Sequence, residues 1–243
     1  MDEYPHTRLP AYPPTHTPAF HSEIRNPKPE IIRLVEFLQA FEPLERASIE
    51  RVVEKGFLAG LTKATLREIG QNVVRNKTVD ATLHALRARG VEIEVLSANW
   101  STALIEGAME GCCDHVIANC LVYDETGVST GDIQLRVVSA QDKLRWFRQR
   151  RAQPGQTLYI GDSISDLLAI LDADIGILIG NNRIAMWTIE RFSLPTQRLT
   201  KKTQFDPTLR YQGTILLVES WEALTGFILG ASSGVSQPGL TSV

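Results

Sequence analysis

Cysteine is scarce in this chain: Cys112, Cys113 and Cys120 are all there is in 243 residues, and their spacing suits neither a disulfide framework nor a zinc site. A stapled secreted scaffold is thereby excluded, and the three read as reduced, small core residues. Long apolar runs are also missing. No stretch approaches the roughly 20 residues that cross a bilayer, and the amino terminus lacks the basic-then-apolar order of a signal peptide. The expectation is a soluble, cytoplasmic chain with no membrane partner. Nor is there an excess of positive charge. Lys and Arg number 25 against 28 Asp and Glu, for a net charge of -3 and a pI near 6.0, so no basic face is available to neutralise a nucleic acid. Arg148, Arg150 and Arg151 form the one dense basic run. They close an expected helix, where the dipole favours cations, and read as a helix end rather than a polyanion site.

What is present is ordinary for a globular protein of one large domain and a small one, with 43% hydrophobic and 22% charged residues. Residues 1–28 read as a proline-rich disordered tail built around Tyr12-Pro-Pro-Thr-His-Thr-Pro. Its His6, His16 and His21 are scattered polar residues rather than ligands. Residues 29–78 have helical spacing throughout, broken by a turn at Gly56-Phe-Leu-Ala-Gly60, and read as a small all-helical unit. Residues 79–230 alternate strand and helix, which predicts a parallel sheet covered on both faces. Strands are expected near Val91 to Ser97, Val116 to Leu121, Thr157 to Gly161, Ile175 to Ile179 and Thr214 to Val218. Helices are expected near 79–89, 101–110, 140–150, 164–172, 183–191 and 220–229, with a hairpin or two tight turns between Tyr123 and Ile133. Residues 231–243 read as a flexible tail.

Chemistry concentrates where strands meet helices. The apolar strand Thr157-Leu-Tyr-Ile stops on Gly161-Asp162-Ser163, and Asp166 follows in the first turn of the next helix. Two hard oxygen donors at the carboxyl end of a parallel strand suit Mg²⁺ and a phosphate. The alternative is that they only cap the helix and complement its dipole. Val91-Glu-Ile-Glu-Val-Leu likewise ends in Ser97-Ala-Asn99-Trp-Ser101, a hydroxyl-bearing turn before a helix that reads either as a phosphate cradle or as an N-cap. Ser139-Ala-Gln-Asp142 resembles a capping box. Lys143 then stands in the first helical turn, where the dipole disfavours a cation, so a carboxylate or phosphate partner is expected.

In this order and spacing the segments resemble the haloacid dehalogenase (HAD) superfamily. Leu96-Ser97-Ala-Asn is similar to its second motif, Lys143 to its third, and Tyr159-Ile-Gly-Asp162-Ser-Ile-Ser-Asp166 to its fourth, with residues 29–75 placed like its helical cap. The pattern is closer still to the phosphatase part of plant thiamine monophosphate phosphatases and related fungal hydrolases. The resemblance implies an α/β, Rossmann-like parallel sheet and Mg²⁺-dependent hydrolysis of a small phosphorylated metabolite through an aspartyl-phosphate. It implies Lys143 and Asp162 as catalytic residues. Ser97, Asn99 and Lys143 would be phosphate-binding, and Asp162 and Asp166 the metal ligands, with Asp166 alternatively orienting Lys143.

The family's first motif, an Asp-x-Asp closing the first and central strand, has no counterpart. The chain's one Asp-x-Asp, Asp172-Ala-Asp174, ends a helix after the fourth motif. Two expectations follow. One is an amino-terminally incomplete phosphatase, for instance from a mispredicted gene start. The other is a catalytically inactive phosphate- or partner-binding protein, an accessory to a small-molecule pathway. Oligomeric state and substrate identity are not legible.

Overall fold

The computed structural model describes residues 29–151, 155–200, 203–206 and 208–230; the proline-rich and Gly/Ser-rich tails lie outside them. In chain order the elements are α1 (Pro29–Gln39), α2 (Glu42–Glu54), β1 (Ala59–Thr62), α3 (Lys63–Gln71), α4 (Lys77–Arg87) and β2 (Glu94–Leu96). Next come α5 (Thr102–Ala108), β3 (His115–Ile117), β4 (Cys120–Tyr123), β5 (Val128–Gln134), α6 (Ala140–Arg150) and β6 (Leu158–Gly161). A 3-10 turn (Ile164–Asp166) leads into α7 (Leu167–Asp172), β7 (Ile175–Ile179), α8 (Arg183–Arg191), β8 (Thr196–Arg198), β9 (Ile215–Val218) and α9 (Trp221–Leu229).

The expected Rossmann-like arrangement is present. Four parallel strands run in the order β6-β7-β9-β8. Alternating residues of these strands feed two apolar layers. Tyr159, Leu178 and Ile215 pack with α1, α6, α7 and α8 on one face, while Ile177, Leu216 and Val218 pack with α9 on the other. Continuous apolar strands such as Ile-Gly-Ile-Leu-Ile are what such a doubly covered sheet requires. Gly176 lets α7 lie against β7, since a Cβ there would stand 1.9 Å from the Ile170 carbonyl.

The sheet is nevertheless divided. β2 and β3 pair in parallel as a separate two-stranded unit, and among the described residues nothing pairs with the other edge of β2 or of β6. Helix α6 lies across both edges. Its N-terminal residue Lys143 meets Asp166 beyond the carboxyl end of β6. At its other end Arg150 pairs with Glu94 of β2 and with Glu92 just before it, and Arg151 with Asp174, which holds Thr157 just ahead of β6. Both strands therefore run antiparallel to α6 and parallel to each other. The arginine run is a clamp on the amino-terminal ends of the strands, and its acid partners include both aspartates of Asp172-Ala-Asp174. That motif is structural.

Three local differences from the sequence reading have simple causes. The stretch 29–78 is interrupted by β1, which pairs antiparallel with β5 and extends the β4–β5 hairpin. Its helices also do not all stand apart: Leu34, Val35 and Leu38 of α1 lie in the main core. The single strand expected at Val116 to Leu121 is two, because the chain leaves β3 and changes sheets at Ala118-Asn119. β8, Thr-Gln-Arg, is an exposed edge strand with no apolar signal. Among the described residues no helix is long and apolar enough to cross a membrane.

Candidate active site

Ser139 and Asp142 form the expected capping box: the Ser139 hydroxyl accepts from the Asp142 N–H at 3.2 Å, and Asp142 Oδ2 accepts from the Ser139 N–H at 3.1 Å. This fixes the first turn of α6 and presents Lys143. A cation there opposes the helix dipole, and its compensation is Asp166, whose Oδ1 accepts from Lys143 Nζ at 2.7 Å. The pair is buried, with 10% and 5% of the two side chains exposed. An ammonium has three donors, and this contact uses one of them.

Asp166 is held from every side. Oδ1 also accepts from the Tyr159 hydroxyl at 3.0 Å, while Oδ2 accepts from the Ser163 N–H at 3.1 Å and the Ser163 hydroxyl at 2.7 Å. Burial pushes its carboxyl pKa up, yet the Lys143 charge and the hydrogen bonds from Lys143, Ser163 and Tyr159 together outweigh this and hold it below the ordinary range. Burial, then the Asp166 charge, pushes the Tyr159 phenol up, so it stays a donor. Four donors fill the roughly four lone-pair positions of a carboxylate. Of the two roles expected for Asp166, support of the metal or orientation of Lys143, this arrangement favours the second. Gly161 permits this, since a Cβ there would lie 2.3 Å from the Asp166 Cβ.

Asp162 is the opposite case. It stands exposed directly after β6, and among the described residues its carboxylate makes no hydrogen bond or ion pair. A free hard oxygen donor at a strand's carboxyl end fits Mg²⁺, which commonly takes one or two carboxylates and completes its shell with phosphate and water. Asp162 thus fits as one ligand of such a site. A second cluster, Glu92, Glu94 and His115, could in geometry hold a metal, but Arg150 already pairs with both glutamates.

The turn after β2 holds the other expected site residues. Ser97 Oγ accepts from the Asn99 N–H at 3.1 Å, leaving its own proton free to donate. Asn99 Oδ1 accepts from the Ser101 N–H at 2.9 Å, and Ser101 Oγ caps α5 through Leu104. Ser101 is an N-cap, and the Asn99 carbonyl oxygen shapes the turn while its amide faces solvent. A residue absent from the sequence reading organises this turn. Asn119, fully buried, donates through Nδ2 to the carbonyls of Ala98 and Val137 and accepts through Oδ1 from the N–H groups of Arg136 and Val137. An Asn between the apolar Val116-Ile-Ala and Leu121-Val was the available signal, since a buried carboxamide must find partners.

A parallel α/β sheet with a Lys–Asp pair, a free aspartate and a hydroxyl turn at the carboxyl ends of its strands defines a phosphoryl-handling hydrolase class. The particular family follows from comparison: residues 21–170 match the model of the haloacid dehalogenase-like hydrolases, and the chain belongs to that family. It is 28% identical over 222 residues to the bifunctional TH2 protein, mitochondrial, of Arabidopsis thaliana, covering 81% of this chain and 36% of that one. The chain thus spans about a third of that relative's length. Among solved structures it resembles a phospho-aspartyl intermediate analogue of phosphoserine phosphatase, at 20% identity and a TM-score of 0.48 over 65% of this chain and 77% of that one. It also resembles phosphoserine phosphatase from T. onnurineus in complex with NDSB-201, at 22% identity and 0.47 over 85% and 82%.

Proposed function

We propose that these residues form the phosphoryl-binding part of a Mg²⁺-dependent phosphatase site for small phosphomonoesters. The observation that carries this reading is Lys143, locked by Asp166 with donors to spare, on the same strand–helix junction that bears the exposed Asp162. Asp162 would hold Mg²⁺, which when bound neutralises phosphoryl charge. Lys143, the Ser97 hydroxyl and the Asn99 amide would donate to phosphoryl oxygens, favouring the extra charge of the transition state over the ground state. In the family's chemistry a carboxylate attacks phosphorus and displaces an alkoxide, which takes a proton from a second acid. Water then cleaves the acyl phosphate, releasing inorganic phosphate and restoring the carboxylate. Neither the attacking carboxylate nor the second acid is among the described residues. A further strand pairing with the open edges of β2 and β6 would supply them.

The chain as it stands is therefore expected to bind inorganic phosphate with Mg²⁺ and to turn over p-nitrophenyl phosphate little or not at all. Calorimetric titration should show phosphate affinity falling about tenfold in Lys143→Ala, the loss of one charge-assisted contact. Adding an apolar strand that ends in Asp-x-Asp ahead of Pro29 should create turnover, abolished by Asp162→Asn. Equal phosphate binding by wild type and Lys143→Ala would end this reading. The divided sheet favours a second reading, a binding protein without turnover, and robust hydrolysis by the unmodified chain would eliminate it.

A further inference from the structure

We infer that Asn119 is a positioning residue, which sets the Ser97 turn against the segment that launches the Lys143 helix. The inference rests on the reading that these two segments grip one phosphoryl group. In a complete parallel sheet, ladder hydrogen bonds on both edges of β2 would fix the turn that follows it. Here, among the described residues, β2 pairs with β3 alone, and Ser97 keeps a single ladder bond, from its N–H to the Ile117 carbonyl at 2.9 Å. Asn119 supplies the rest.

Every polar atom of this residue is engaged. Its N–H donates to the Asn99 carbonyl at 3.1 Å, and its carbonyl accepts from the Thr102 N–H at 2.9 Å and the Thr102 hydroxyl at 3.1 Å. These bonds fasten the far end of the turn. Its side chain joins that turn to the second segment, with Nδ2 3.1 Å from the Ala98 carbonyl and 2.9 Å from that of Val137, and Oδ1 2.6 Å from the Arg136 N–H and 2.9 Å from that of Val137. Val137 and Val138 are buried and lead directly into the Ser139 cap. One carboxamide therefore couples the hydroxyl of Ser97 to the ammonium of Lys143, with no atom of its own near the phosphoryl group. It is buried with donors and acceptors matched, the condition under which a polar group rigidifies rather than destabilises. No other residue type offers two donors and two acceptor positions in that shape.

Asn119→Asp separates the two halves of the device. The carboxylate still accepts from the N–H groups of Arg136 and Val137 but can no longer donate to the carbonyls of Ala98 and Val137, so the turn loses its one side-chain tie while the Arg136 and Val137 amides keep their acceptor. Hydrogen exchange at the Asn99 and Ser101 amides should speed up about tenfold, with Arg136 and Val137 unchanged, and inorganic phosphate affinity of the folded protein should fall about tenfold. Asn119→Ser, smaller and neutral, serves as the second variant should the buried charge prevent folding; it should loosen both segments and weaken phosphate equally. A variant that lowers the melting temperature yet leaves the phosphate Kd of the folded protein unchanged would overturn the positioning role. So would accelerated exchange spread evenly over the molecule. If wild type binds no phosphate, the phosphatase reading fails by itself, and the exchange pattern still decides whether Asn119 couples the two segments.

Discussion

β7 and β2 are both short parallel strands ending at the same crevice, yet they are buried to very different degrees. β7 has a neighbour on each edge, and four of its five residues are buried. β2 has one neighbour, and all three of its residues are only partly buried. The difference follows completeness as well as composition, since β7 carries three β-branched residues and β2 one, Val95. It divides the site accordingly. Lys143 and Asp166 stand buried on the closed half against the packed core, and Asp162 follows β6, itself the edge strand of that half. Ser97 and Asn99 stand on the open half and are held by side-chain hydrogen bonds in place of a ladder.

Three perturbations sharpen this contrast. The largest effect belongs to the closed half, where Asp166→Ala would leave the Lys143 ammonium buried without its counter-charge. Removing one partner of such a pair costs about 3 to 5 kcal/mol, measured as the shift in urea-unfolding free energy. Lys143→Met should cost much less, because Ser163 and Tyr159 still donate to the remaining carboxylate. An equal cost would mean that the pair is not the element locking this end of α6.

Next come matched truncations in the two strands. Ile177 is fully buried at the centre of the sheet, so Ile177→Ala should cost about 3 kcal/mol, the transfer loss plus an unfilled cavity. Val95→Ala, in a strand with one open edge, should cost about 1 kcal/mol or less, because water already reaches the site. Similar values for both would show that the open edge is covered in solution.

The same contrast explains what the sequence could disclose. β7, α6 and α8 match their expected ranges residue for residue, because a continuous apolar strand and helices with Ser139 and Asn182 caps carry local signals. The demand of Lys143 for an acid was legible from its place in a helical first turn, and Asp166 meets it. That Asp166 would also accept from Tyr159 and Ser163 was not legible, since it depends on their converging in space. The jump between sheets at Asn119 was hidden for the same reason. Its cause is a set of bonds to residues 17 to 21 positions away, beyond the reach of any periodicity.

The smallest predicted effect concerns how the open half is fastened at its amino-terminal end. Asp114 Oδ2 accepts from the Ile93 N–H at 2.8 Å and Oδ1 from Arg87 at 2.8 Å, tying α4 to the approach of β2 and β3. The Ile93 hydrogen bond is the main cause of a carboxyl pKa held below its ordinary value; burial opposes it, and the Arg87 hydrogen bond and charge add to it. A folded pKa below the unfolded one contributes stability that is fully present above the unfolded value of about 3.9. That contribution disappears as pH falls from there through the folded pKa. Because the group is partly exposed, solvent screening limits it to about 1 kcal/mol. Comparing wild type with Asp114→Asn by urea unfolding should therefore show a gap near neutrality that closes on acidification below about pH 4. Amide exchange at Ile93 should rise over the same interval while β7 amides stay protected. A gap that persisted unchanged into acid would mean that the Asp114 charge plays no part, and that the half-sheet is held by the β2–β3 ladder alone.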